Sequence, residues 1–343
     1  MLERRKIQRT GTSSYIVTLP KDWIDTVGLR SGDYVYIYEY KDKLIITPLE
    51  KGVKHLKGEI RVHKPIDNEQ IFRVLVGMYL SGYNNVVITF DQTIPNLAKR
   101  INEIKNRARI KLAGIEVVDE TSNSISFRIL LSIKELPLIH AIRRLHLIVN
   151  NMLRDSLEAF KNNDRELAET VIQRDDEADR FHFMIIRQLS QALLDIQVMH
   201  ELGVTNSVEI LNYRIIARNL ERIADHTVNI ARRTFYREDP CVLCNEVYEI
   251  GVKINSLFNR AMEGFYKLSR HISEEVIETA RVIVGLLEET LKEKILLGDI
   301  KSSEKILLTM IFDSLRRITR YSNGIAETTL NIKANKSTSH DIK

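Results

Sequence analysis

The chain has 343 residues, 44% of them hydrophobic and 28% charged, enough for two or three packed globular domains. No apolar run approaches the ~20 residues of a membrane-spanning helix, the first residues lack the apolar stretch of a signal peptide, and two cysteines exclude a disulfide scaffold, so a cytoplasmic setting is expected. The net charge of +5 is unevenly placed: residues 1–54 hold 10 Lys/Arg against 7 Asp/Glu, residues 55–136 hold 12 against 9, and residues 137–343 hold 29 against 30.

A polyanion-binding surface therefore belongs at the front of the chain. Residues 1–52 read as strands around one short helix. Tyr15–Leu19 is β-rich, and Pro20 opens a helix over Lys21–Val27 that Gly28 closes. Ser31-Gly32-Asp33 turns into a strand at Tyr34–Tyr38, and Lys41-Asp42-Lys43 turns back into Leu44–Thr47. Such a unit is too small to bury a core by itself, which predicts a partner chain. Tyr34, Tyr36, Tyr38 and Tyr40 alternate along one strand and are read as shaping that contact.

Residues 57–135 alternate strand and helix. Strands are expected at Glu59–His63, Asn85–Phe90, Ile115–Val118 and Ser124–Ile133, and helices at Asn68–Leu80 and Ile94–Arg109. That order favours a small sheet with helices packed on it. The region contains no glycine-rich phosphate loop, nucleophile elbow or metal-ligand cluster and is read as a chemically silent connection.

From Pro137 onward the pattern is helical: Leu138–Asn162, Arg165–Leu202 capped by Asp164, Asn206–Tyr236, Val242–Arg270, Ser273–Leu297 capped by Ser273, and Ser302–Ile332. Short loops between them make antiparallel bundles. Residues 334–343 form a polar tail expected to fray. Asn219–Ala231 lies in register over Ser314–Ala326, with leucine, arginine, isoleucine and alanine coinciding, so two three-helix units stand in tandem. Cys241 and Cys244 form a lone CxxC with no second pair to complete a zinc site, and are read as incidental.

Asp175 and Asp179 are four apart on one of these helices, and Glu221 and Asp225 are four apart on the next. Residues at i and i+4 share a helix face, where like charges repel. Four carboxylates facing one another call for a cation, and iron, manganese, zinc or magnesium ions are the candidates. His182, one turn after Asp179, joins as a possible ligand; His226 lies off that face. Solvated ion pairs with Arg174, Arg180, Arg218 and Arg222 are the alternative.

The segments Val171–Asp179 and Leu220–Ala231 resemble the motifs of the PhoU family, over about residues 137–332. The resemblance implies two three-helix units whose acidic pairs bind metal clusters, and a role in regulating phosphate uptake beside a transporter and its sensor. The chain departs from that pattern in its second unit, where Arg316 and Arg320 replace Glu221 and Asp225 in register. One metal site is therefore expected, with Glu288, Glu289 and Glu293 pairing with the two arginines.

Arg5–Lys21, with its hydrophobic-Pro-Lys start to the helix, and Gly28–Val35, with its Gly-Leu-x-x-Gly-Asp turn, resemble an AbrB/SpoVT swapped-hairpin domain. This implies an obligate homodimer in which two halves interleave into one small barrel that binds DNA. Arg4, Arg5, Lys6 and Arg9 supply four cations within six positions, and Thr12 and Ser13 place hydroxyls in the adjoining loop, a set suited to phosphate contacts. The expected fold is multidomain α+β: a swapped-hairpin β-barrel half over 1–52, an α/β linker domain over 57–135 and tandem three-helix bundles over 137–333. The expected function is a non-enzymatic, DNA-binding regulator of phosphate uptake. An adaptor docking on a transporter ATPase or sensor kinase, without DNA binding, is the alternative. A metalloenzyme is disfavoured because no Glu-x-x-His motif accompanies the acids.

Overall fold

The computed structural model describes residues 3–40, 42–49, 56–131 and 136–336, and the chain divides into two compact units, 1–55 and 56–343. Residues 50–52 of the expected front domain and 337–343 of the expected frayed tail lie outside the described residues.

The front unit holds two antiparallel hairpins and one short helix. Gln8–Thr10 (β1) pairs with Ser14–Ile16 (β2) across a turn that needs the positive φ of Gly11 (63°). Lys21–Val27 (α1) follows Pro20 and ends at the left-handed Gly28, as the sequence predicts. Val35–Tyr40 (β3) pairs with Lys43–Pro48 (β4). The two hairpins are separate sheets, and no closed barrel forms among the described residues. None of the described side chains in this unit is buried.

The second unit begins with Lys57–Val62 (β5), Asn68–Leu80 (α2), Asn85–Phe90 (β6), Leu97–Lys111 (α3), Ile115–Glu120 (β7) and Ser124–Ile129 (β8). Sheet order is β5-β6-β8-β7, with β5 and β6 parallel and the other pairs antiparallel. Alternate residues (Ile60, Val62, Val86, Ile88, Phe90, Ile125, Phe127 and Ile129) are buried, so one sheet face carries the core. Ile71, Phe72 and Leu75 of α2 and Ile101, Ile104 and Ala108 of α3 close that core. The outermost predicted strand residues, 132 and 133, lie outside the described residues.

The helices are Leu138–Asn162 (α4), Arg165–Leu194 (α5), Ile196–Glu201 (α6), Ser207–Thr234 (α7), Cys244–Lys267 (α8), Arg270–Thr290 (α9) and Ser302–Lys336 (α10). Two of the expected helices differ in their breaks, caps or ends. The single helix expected over Arg165–Leu202 breaks at Asp195, which takes extended dihedrals and caps α6 by accepting from the Gln197 amide. The cap of α9 is Ser269, whereas Ser273 is buried inside the helix and donates its hydroxyl back to the Ser269 carbonyl. Beyond Thr290 the helix widens into a π-helical turn at Leu291–Leu296. Cys241 and Cys244 are joined by a disulfide at the start of α8, so they are a local staple and not incidental. No described helix is long and apolar enough to cross a membrane.

Candidate functional site

The carboxylates meet where α5 packs against α7. Burial pushes the Asp175 carboxyl up to about 6, aided by the neighbouring charges of Asp179 and Asp225. Burial likewise pushes Glu221 up to about 7, with Asp225 and Asp179 as the repelling neighbours. Asp225 is raised by burial and by Asp179, against the pull of Arg222, whose guanidinium lies 3.1 Å from its Oδ2. Asp179 and Asp225 thus couple electrostatically to both Asp175 and Glu221. Glu221 Oε2 is buried without a hydrogen-bond partner.

A cation already stands among them, and it comes from the region read as silent. Lys111, the last residue of α3, donates from Nζ to Asp179 Oδ2 at 2.7 Å and lies 3.1 Å from Asp176 Oδ1. Burial works against the ammonium, but its hydrogen bonds to the two carboxylates outweigh that and hold its pKa above the ordinary lysine value. Nothing in the spacing of residues 57–135 marks Lys111; only the packing of α3 on α5 reveals it. That packing uses one stripe of α5. Phe183 rests on the α/β core, and the fully buried Arg187 donates to the Tyr79 carbonyl at the end of α2, 2.7 Å away.

Arginine charges act on both histidines. His182 is pushed down to about 4 by burial and by Arg218, Arg214 and Arg222, so its surroundings are cationic and its buried Nδ1 has no partner. His226 stacks on Tyr321 of α10 at 5.9 Å, and the charges acting on it include Arg317 and Asp313. Of the flanking arginines, Arg174 reaches away to Asp155 of α4 at 2.7 Å, whereas Arg222 stays beside Asp225 and Glu221.

In the second three-helix set Arg316 pairs with Asp313 at 2.6 Å, and Arg317 pairs with the same carboxylate at 2.8 Å. Among the described residues no ion pair joins Arg316 or Arg320 to Glu288, Glu289 or Glu293, contrary to expectation. Asp313 lies one turn upstream on the same helix and reaches Arg316 and Arg317 at i+3 and i+4.

At the front of the chain Arg4, Arg5, Lys6, Arg9, Thr12 and Ser13 are all exposed. Arg5 pairs with Glu3, and Arg9 donates to the Thr12 carbonyl, which ties the cationic strand to the hairpin turn.

A family model described as "PhoU domain" matches residues 142–234, the span from α4 to α7. Over residues 142–234 the chain therefore resembles a PhoU domain. The match covers the first three-helix set, the one that keeps its carboxylates. A second model, "Antidote-toxin recognition MazE, bacterial antitoxin", matches residues 8–54, so the front unit is MazE/AbrB-like. A phosphate-specific transport system accessory protein PhoU homolog of Xylella fastidiosa is 23% identical over 60% of this chain and 89% of its own length. One from Caulobacter vibrioides is 32% identical over 27% of this chain and 38% of its own length. A solved structure, the phosphate transport system regulatory protein PhoU from Streptococcus pneumoniae, aligns with 94% of its chain and 58% of this one, with a TM-score of 0.49 and 17% identity.

The PhoU resemblance implies a metal on Asp175, Asp179, Glu221 and Asp225. The donor chemistry fits: the residues are hard carboxylates, burial and repulsion raise Asp175, Glu221 and Asp225, and the buried Glu221 Oε2 accepts no hydrogen bond. Their present placement does not close on an ion. Among the described residues no three His, Cys, Asp or Glu side chains converge as a metal site, and the Lys111 ammonium holds Asp179.

Proposed function

We propose that this chain is a cytoplasmic, non-enzymatic regulator of phosphate uptake whose front unit binds DNA as a homodimer. The observation that carries the reading is the pairing, in one chain, of a PhoU domain with a MazE-like unit that shows cations and apolar side chains to solvent. Tyr15, Tyr34, Ile37 and Leu44 are between 59% and 77% exposed there, which a second interleaved copy would cover. Duplicating Arg4, Arg5, Lys6 and Arg9 across a two-fold axis supplies several phosphate contacts, with Thr12 and Ser13 beside them.

In the PhoU domain Asp175, Asp179, Glu221 and Asp225 would hold a divalent or trivalent cation, which when bound supplies a positive centre for an anionic phosphate. Asp179→Ala and Asp225→Ala are then expected to weaken phosphate binding, as read by calorimetry with and without iron or manganese.

DNA binding is tested by mobility shift with genomic fragments at two salt concentrations. The expected result is a steep loss of affinity with salt, with a shallower slope in Arg5→Ala and Arg9→Ala. No shift at low salt would sink the DNA reading. It would favour an adaptor to a transporter ATPase or sensor kinase, a reading supported by the Xylella accessory protein that this chain matches along nearly its whole length.

A further inference from the structure

Lys111 reaches the PhoU carboxylates from a different layer of the same unit. Its Nζ is 2.7 Å from Asp179 Oδ2 and 3.1 Å from Asp176 Oδ1, and its side chain is 22% exposed. An ammonium there does electrostatically what a bound cation does, because it neutralises Asp179 within a group of mutually repelling acids. A metal ion and an ammonium cannot share one carboxylate edge without strong like-charge repulsion. The docking that delivers Lys111 has further anchors in Phe183 and in the hydrogen bond from Arg187 to the Tyr79 carbonyl. The α3–α5 contact can therefore loosen locally while the rest of the layer stays bound.

We propose that Lys111 is a tethered competitor for the metal: an ion gains Asp179 only when the ammonium leaves it, so metal loading loosens the end of α3 from α5. Binding linkage is reciprocal, so docking of α3 weakens metal binding by the same factor. The inference rests on the metal reading above, and the experiment separates the two.

Full-length protein is titrated with Mn²⁺ by calorimetry as wild type, Lys111→Met and Lys111→Arg, and amide hydrogen exchange across Leu97–Lys111 is followed with and without Mn²⁺. Lys111→Met is expected to bind about tenfold more tightly, since apparent affinity scales with the fraction of molecules whose site is free. Lys111→Arg is expected to stay near wild type. In the wild type Mn²⁺ is expected to speed exchange over the last turns of α3. Equal affinity in wild type and Lys111→Met, with exchange unchanged by Mn²⁺, overturns the competition and leaves the metal reading standing. Absence of Mn²⁺ binding in every variant overturns both. Should Lys111→Met fail to fold, the wild-type exchange response decides alone: acceleration supports the competition, and an unchanged rate ends it.

Discussion

His146 shows how one side chain is held in a single charge state by its partners. It is 8% exposed on α4; its Nε2–H donates to Asn259 Oδ1 at 3.1 Å, and its Nδ1 accepts from the Tyr266 hydroxyl at 3.2 Å. The Asn259 amide is fixed in turn by donating to Asn150 Oδ1 and the Asn255 carbonyl. Both ring nitrogens are thus used by the neutral imidazole. Burial lowers its pKa, helped by Arg143 and opposed by the Asn259 hydrogen bond. Below the unfolded value of 6.5 the unfolded chain binds the extra proton first, so this contribution to stability is present at neutral pH and lost as pH falls. His146→Gln, which keeps a neutral hydrogen-bonding side chain, is expected to lose less thermal stability than wild type between pH 7.5 and 5.5. Equal losses in the two proteins would show that the buried imidazole plays no part.

At the scale of elements, the contact between α4 and α8 joins the two three-helix sets. His146, Asn150, Asn259 and Tyr266 make its polar end, and Leu157 against Gly251 makes its tight end. A Cβ at Gly251 would stand 2.4 Å and 2.7 Å from the two methyl carbons of Leu157, which is buried. Glycine is a poor helix former, and here the close approach requires it. Gly251→Ala is expected to destabilise the protein by about 1–3 kcal/mol through overpacking, despite alanine's better propensity. Leu157→Val in the same chain should recover part of that loss, as measured by denaturant unfolding. A Gly251→Ala protein at least as stable as wild type would mean that α8 shifts at little cost. Arg187 serves a similar joining role between α5 and α2. Arg187→Met removes the charged donor to the Tyr79 carbonyl, which keeps only the Gly82 amide at 3.1 Å; the lost charged hydrogen bond costs about 1.5–3 kcal/mol and should raise hydrogen exchange at the end of α2.

At the scale of the whole molecule, none of the described side chains of the front unit is buried, so its stability is expected to depend on a second copy. Light scattering should find a dimer whose dissociation follows Ile37→Asp or Leu44→Asp; a stable monomer in the wild type would contradict it. Much of this organisation is legible in the sequence. The spacing of Asn68–Leu80 and Leu138–Asn162 gives α2 and α4 with their observed bounds, because caps and apolar periodicity are local properties. The acids Asp175, Asp179, Glu221 and Asp225 are legible for the same reason, as i and i+4 pairs on helices. Lys111 and Arg187 are not, because each reaches a partner on another element, and tertiary packing chooses that partner without leaving a periodic trace. The break at Asp195 escapes the periodicity as well, because an acid able to cap a new helix also sits comfortably on an exposed helix face.

The reach of Lys111 to Asp179 spans 68 residues and that of Arg187 to Tyr79 spans 108. Synthesis proceeds from the N-terminus, so the sheet and its two helices are complete before most of α5 has been made. During that interval the end of α2 lacks its buried donor, and the lysine at the end of α3 faces water. The emerging α5 then supplies a carboxylate for the lysine and a guanidinium for the α2 carbonyl. It closes the layer it docks on before α7 arrives to bring the remaining two acids, so in the order of birth the ammonium claims Asp179 first.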